Sequence, residues 1–176
     1  MSTLHVENLK GLSSGGNANK IIVPSGQTLT APGHVIQMQH ARLTGASTQS
    51  TSTSFIDTGL TVNITPKFAT SKILVFSNQQ IGKTRNSSGV ARIDTKLIES
   101  NSGYILGSSA FEGTDNLASG NLSSYTAQHG TFQCSNTNQL TFKTQAKPSG
   151  GTNAAAIFPA WYTGSIHTIT ALEIAQ

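Results

Sequence analysis

A single cysteine, Cys134, excludes an intrachain disulfide and any metal site built from several thiolates. Charge is scarce too, at 10% of residues. Helix surfaces normally draw on Glu, Lys, Arg and Ala, whereas the polar positions here are Thr, Ser and Asn, which suit strands and turns. Apolar runs stay far below the length of a membrane-spanning helix, and MSTLHVENLK has no basic segment followed by an apolar one. The sequence therefore predicts no signal peptide, no membrane insertion and synthesis in a cytoplasm.

Clustered chemistry is equally sparse. The formal charge of +4 comes from basic residues scattered singly between Lys10 and Lys147. A phosphate-binding footprint gathers such residues on one face, so a mildly basic surface is expected and no nucleic-acid partner. Among the carboxylates, only Glu112 and Asp115 lie close together, in a segment read as a loop, and they are too few for a tight calcium site. His5, His34, His40, His129 and His167 show no metal-pair spacing. Gly82-Lys83-Thr84 looks like the end of a phosphate loop, but Ser77 stands where glycine is required and a strand pattern follows where a helix is required. Cys134 reads as a small buried filler on a strand. The sequons at Asn63, Asn86 and Asn121 carry no weight without a secretory signal. The expectation is a non-enzyme without catalytic residues, cofactor or metal; a Ser/His constellation assembled only in space is invisible at this level.

What the sequence does contain is strand pattern, clearest over residues 58–80. Leu60, Val62 and Ile64 alternate with Thr61 and Asn63, as in a strand with one face in the core. Ile73-Leu74-Val75-Phe76 is a continuous apolar run, the pattern of a strand covered on both sides. Pro66 and the small polar Ala69-Thr70-Ser71 allow a reversal between them, giving a hairpin. Further strands are expected at 35–43, 90–99 (Ala91, Ile93 and Leu97 on one face, Arg92, Asp94 and Lys96 on the other), 104–106, 154–162 and 166–174. Residues 122–134 and 140–147 read as a second hairpin. Residues 44–54 read as a loop or exposed edge, 81–89 as a polar loop and 107–121 as the longest irregular stretch. Regularly spaced strands without a convincing helix predict an all-β fold, an antiparallel β-sandwich of jelly-roll type.

Residues 1–33 differ from this head, assigned to 34–176. Leu4, Val6 and Leu9 form one apolar stretch, Ile21, Ile22 and Val23 another, joined by a Gly/Ser/Asn connector. So short a segment cannot offset its own ordering entropy, so it reads as an anchoring or oligomerisation arm, docking through those six residues. The densest aromatic cluster, Phe158 with Trp161 and Tyr162, suits either a sugar-stacking platform or a core or subunit interface.

Several phrases carry a family resemblance: residues 2–9, 20–29 and 32–37, the stretch 57–75, and Thr170-Ala171-Leu172-Glu173-Ile174. In these the chain resembles small virion structural proteins of tailed bacteriophages, marine and cyanobacterial ones in particular, of tail-fibre or head-fibre type. The resemblance implies a non-enzymatic homotrimer in the virion, its arm docked to other virion proteins and its jelly-roll head outward, with a host-surface glycan as ligand. It does not identify binding residues. Two further readings stand beside it: a capsid decoration protein clamping coat subunits, and a free carbohydrate-binding module.

Overall fold

The computed structural model describes the backbone of residues 11, 13–16, 23, 25, 31–44, 48–85, 89–115, 120–150, 155–158 and 166–176. Within these, all side chains are described except those of 48, 84–85, 89–91, 113–115, 120–122, 150 and 155–158. The chain divides into two compact units, Met1–Thr30 and Ala31–Gln176. In the first, the described residues include Gly15, with a left-handed backbone (φ 92°) open to glycine at little cost.

The second unit is all-β. Its strands are β1 (Val35–Leu43), β2 (Thr48–Ser50), β3 (Ile56–Ile64), β4 (Lys72–Arg85), β5 (Gly89–Glu99), β6 (Ile105–Asp115), β7 (Gly120–Gln133), β8 (Leu140–Gly150), β9 (Ala155–Phe158) and β10 (His167–Ile174). They form two antiparallel sheets packed as a sandwich. The first is centred on β4: β7 pairs along one edge, while β10 and β9 share the other, at residues 72–78 and 82–84. Outside them lie β1, paired with β10, and β2, paired with β9. The second sheet runs β3-β8-β5-β6.

Alternation places the core as expected. Leu60, Val62 and Ile64 of β3, Leu97 of β5 and Phe142 of β8 meet Ile73 and Val75 of β4 and Ile169 and Ala171 of β10. A smaller cluster joins Ile81, Ile93 and Ala146, with Ile56 and Phe111 packed against it. Residues 31–33 belong with the sandwich, because Gly33 N donates to the Ala175 carbonyl and Ala175 N to that of His34, 2.9 Å each.

Several expectations need correction. Residues 58–80 are not a hairpin: β3 and β4 lie in different sheets, and the Pro66 segment is a corner between them. That corner is held by Glu173, a fully buried residue of β10. Its carboxylate accepts hydrogen bonds from Lys67 N (2.8 Å), Phe68 N (3.2 Å) and Gln37 Nε2 (2.6 Å). Likewise β7 and β8 are not a hairpin but lie in opposite sheets, the chain changing sheets after Cys134. The run 73–76 is covered on one side only within the chain: Ile73 and Val75 are fully buried, Leu74 is half-buried and Phe76 is 45% exposed on the outer face. Finally, residues 81–85 continue β4, and most of 107–121 is β6 and the start of β7. Their inward positions are largely polar, so no apolar alternation marks them as strands.

Where β6 meets β7 at the side of the sandwich, a glycine is required. A Cβ on Gly130 would lie 2.4 Å from the Leu106 carbonyl oxygen and 2.8 Å from its Cβ, inside any tolerable contact. Gly130→Ala is expected to lose about 2 kcal/mol or more in denaturant unfolding. Gly107→Ala, whose nearest contact is His129 O at 3.2 Å, should lose less.

Candidate functional site

Between the two apolar clusters the interior is polar. Thr58, Gln79 and Thr144 are buried together, with Gln79 Oε1 accepting from Thr58 Oγ1 (3.2 Å) and Thr144 Oγ1 (2.9 Å). Beside them Gln128 Nε2 donates to Thr95 Oγ1 (3.0 Å) and Ser109 Oγ (3.1 Å). His167, also buried, accepts at Nδ1 from Gln80 N (3.0 Å). Burial pushes the His167 imidazole below its ordinary value, which suits a neutral ring accepting that bond. The Gln79 and Gln128 bonds tie the two sheets together across the interior, while the Gln80–His167 bond lies within the first sheet.

A depression of about 290 Å³ opens where the chain crosses between the sheets, lined by Glu99, Ser102, Phe132, Cys134 and Asn138 among others. Burial alone would raise the Glu99 carboxyl. Hydrogen bonds from Ser102 Oγ (2.7 Å) and N (2.8 Å), Asn101 N (3.1 Å) and Thr141 N (3.5 Å) outweigh it and hold the group below the usual range. Cys134, unpaired and buried, is pushed up to about 11 by burial and then by the negative charge of Glu173, so its thiol stays protonated at neutral pH. The chemistry of this depression is structural, bracing the turn that follows β5.

The outer face of the second sheet is different. Outward residues of β5 (Arg92, Asp94, Lys96) register with Lys147 and Gln145 of β8 and with Glu112, Ala110 and Ser108 of β6. Ile56 pairs with Ala146, which sets Phe55 level with Lys147. The Phe55 ring receives two ammonium groups, Lys96 Nζ at 4.3 Å and Lys147 Nζ at 4.8 Å from its centroid. Arg92 Nε donates to Asp94 Oδ1 at 2.7 Å, and that bond and charge, with a weaker contribution from Glu112, raise the guanidinium further. Lys143 Nζ donates to Asp57 Oδ2 (2.8 Å) and Gln145 Nε2 to Oδ1 (2.7 Å). Partial burial opposes these bonds at Asp57, yet its carboxyl lies below the usual range. A depression of about 430 Å³ lies here, lined by Phe55, Arg92, Asp94, Ser108, Ala110 and Lys147 together with two inward residues.

The residues expected to form sites are placed as follows. Leu4, Val6, Leu9, Ile21, Ile22, Trp161 and Tyr162 lie outside the described residues; Val23 is described and 40% exposed. The backbone puts Phe158 at the end of β9, opposite Thr48 of β2. Glu112 and Asp115 occupy β6 rather than a loop, opposite Arg92 and Gly89. Lys83 is a fully buried residue of β4, so Gly82-Lys83-Thr84 is mid-strand and not a loop around a phosphate. No group of three or more His, Cys, Asp or Glu fit to hold a metal occurs among the described residues. The sequence reading missed Phe55, Lys96 and Lys147; the only signal was outward alternation of charge at 92, 94 and 96 and at 143 and 147.

No protein-family model matches the chain, and no curated protein matches it. Similar solved structures include dimeric latent PorU from Porphyromonas gingivalis (16% identity, TM-score 0.33, covering 90% of this chain) and infectious bursal disease virus Gt strain (12% identity, TM-score 0.21, covering 87%). The chain spans 15% and 43% of those chains. At such TM-scores neither likeness bears on function.

The pKa shifts fix the direction of acid sensitivity. The folded state holds His167 below its ordinary 6.5 and Glu99 below 4.5, so in both cases the unfolded chain binds protons first. Stability from each is complete above its ordinary value and is lost as pH falls through the lowered one. Urea unfolding across pH 3 to 8 is expected to show stability declining below about pH 6.5 and again below about 4.5. His167→Asn should flatten the upper decline and Glu99→Gln the lower.

Proposed function

We propose that the protein is a non-enzymatic structural component of a tailed-bacteriophage virion, of tail-fibre or head-fibre type. It is a homotrimer made in the host cytoplasm. Its arm, residues 1–30, docks to other virion proteins through Leu4, Val6, Leu9, Ile21, Ile22 and Val23, and the sandwich head is presented for adhesion to the host surface. The chain's resemblance in its arm, corner and closing strand to such proteins supports this reading.

The observation that carries it is the contrast between the two outer faces of the head. On the first sheet, Met38, Leu172, Leu74 and Thr131 form one cross-strand row, and His40, Thr170, Phe76 and His129 the next. Met38 is 61% exposed and Phe76 45%, and neither row contains Asp, Glu, Lys or Arg. Lys72 and Arg42 stand only in the bordering rows. The second sheet's outer face is laced with Arg92, Asp94, Lys96, Asp57 and Lys143. An uncharged, partly apolar sheet face suits cover by a neighbouring copy, since no charge needs a partner across the contact. The charged face is the one that remains in water.

Antibody raised against the protein should label purified particles of the phage encoding it, at tail or capsid projections. Particles free of both label and the protein's peptides would contradict the assignment. Association is tested separately by light scattering: the wild type is expected as a trimer, and Phe76→Asp as a monomer with a circular-dichroism spectrum and melting temperature close to wild type. A trimeric Phe76→Asp protein would remove this face from the interface, and an unfolded one would show that Phe76 supports the fold itself.

A further inference from the structure

The charged face of the second sheet carries a site that the structural role alone does not require. Lys96 and Lys147 both reach the Phe55 ring, so their like-charged nitrogens can be no further apart than the two ring distances combined. Among the described residues neither ammonium is paired with a carboxylate, whereas Arg92 and Lys143 are paired with Asp94 and Asp57. The ring restrains both side chains in advance, which lowers the entropy lost when they close on a ligand. An anionic group within reach of both relieves their mutual repulsion.

The surroundings narrow the ligand. Ser108 and Ala110 are small and leave the depression beside Asp94 open, with Arg92 at its end. Asp94, Glu112 and Asp57 intersperse carboxylates among the cations on this face. A nucleic-acid backbone, with a phosphate at every step, would meet those carboxylates unfavourably. A saccharide with an acidic group on some sugars and hydroxyls on all of them needs both signs: ammonium for the anion, carboxylate and hydroxyl for the sugar O–H groups.

We propose that the Phe55–Lys96–Lys147 cluster and the depression beside it, which Phe55 and Lys147 also line, bind an acidic saccharide unit, sulfated or carboxylated, with Lys96 and Lys147 taking its anionic group and Asp94, Arg92 and Ser108 its hydroxyls. The inference rests on the adhesion reading above and gives it a ligand class and a place, on the face left open by assembly.

The full-length protein would be titrated in biolayer interferometry against dextran sulfate, alginate and unmodified dextran at 150 mM salt. Binding to at least one of the acidic polymers is expected, with none to dextran. Lys96→Gln/Lys147→Gln should weaken it about tenfold or more, as for loss of charge-assisted hydrogen bonds. Lys67→Gln/Lys72→Gln, removing the same charge elsewhere, should change it less than about twofold, because exposed charges more than a Debye length away are screened. Single Lys147→Gln, about threefold weaker, carries the test if the double variant unfolds. Equal losses in the two double variants, binding to dextran as strong as to the acidic polymers, or no binding at all would each overturn the site. Particle labelling is independent of these outcomes, so the virion assignment survives or fails on its own.

Discussion

A buried carboxylate governs how this sandwich closes. Glu173 of β10 accepts two backbone N–H groups from the corner between β3 and β4 and a third bond from Gln37 of β1. A carboxylate out of water persists only where its lone pairs are met, and here they are met by the chain's passage from one sheet to the other. The corner fixes the start of β4, the strand on which β7, β9 and β10 all assemble. Gln37 Nε2 also reaches the Thr65 carbonyl at 2.6 Å, so β1 is tied to the same point. The negative charge at this corner is felt by Cys134, whose thiol it helps keep protonated.

Beyond the corner, the interior changes from apolar to polar and back. This layering explains what was legible in the sequence. Strands whose inward positions are Leu, Val, Ile and Phe, such as β3 and β10, and the alternating β5, announced themselves. Residues 81–85 and 107–115 did not, because their inward positions include Lys83 and Ser109. Polar side chains turned inward are invisible to a hydrophobic pattern. Pairing was less legible still. β7 and β8 alternate in the way hairpin partners do, yet they belong to opposite sheets, and alternation alone does not distinguish the two arrangements. The cation-bearing face was hidden for a related reason: Phe55 precedes β3, Lys147 lies on β8, and Lys96 and Arg92 lie on β5, and only the β3-β8-β5 pairing gathers them.

The two outer faces divide the labour of the head. On one, Leu74 and Phe76 complete an apolar run whose alternate members, Ile73 and Val75, already fill the core. The continuous run thus meets two different environments, the chain's own interior and the exposed outer face, which the proposed assembly would cover. On the other, paired and ring-held cations alternate with carboxylates, an arrangement at ease in water and suited to a hydroxyl-rich ligand. A polar interior layer keeps these surfaces in register, because its directional hydrogen bonds constrain how one sheet slides over the other.

The division of faces is tested most directly by hydroxyl-radical footprinting of the assembled protein, read residue by residue by mass spectrometry and repeated on dilution. The account predicts that Met38 and Phe76 are protected at high concentration and become labelled as the assembly dissociates, while Phe55 is labelled alike throughout. Labelling of Met38 and Phe76 that is strong and independent of concentration would contradict it.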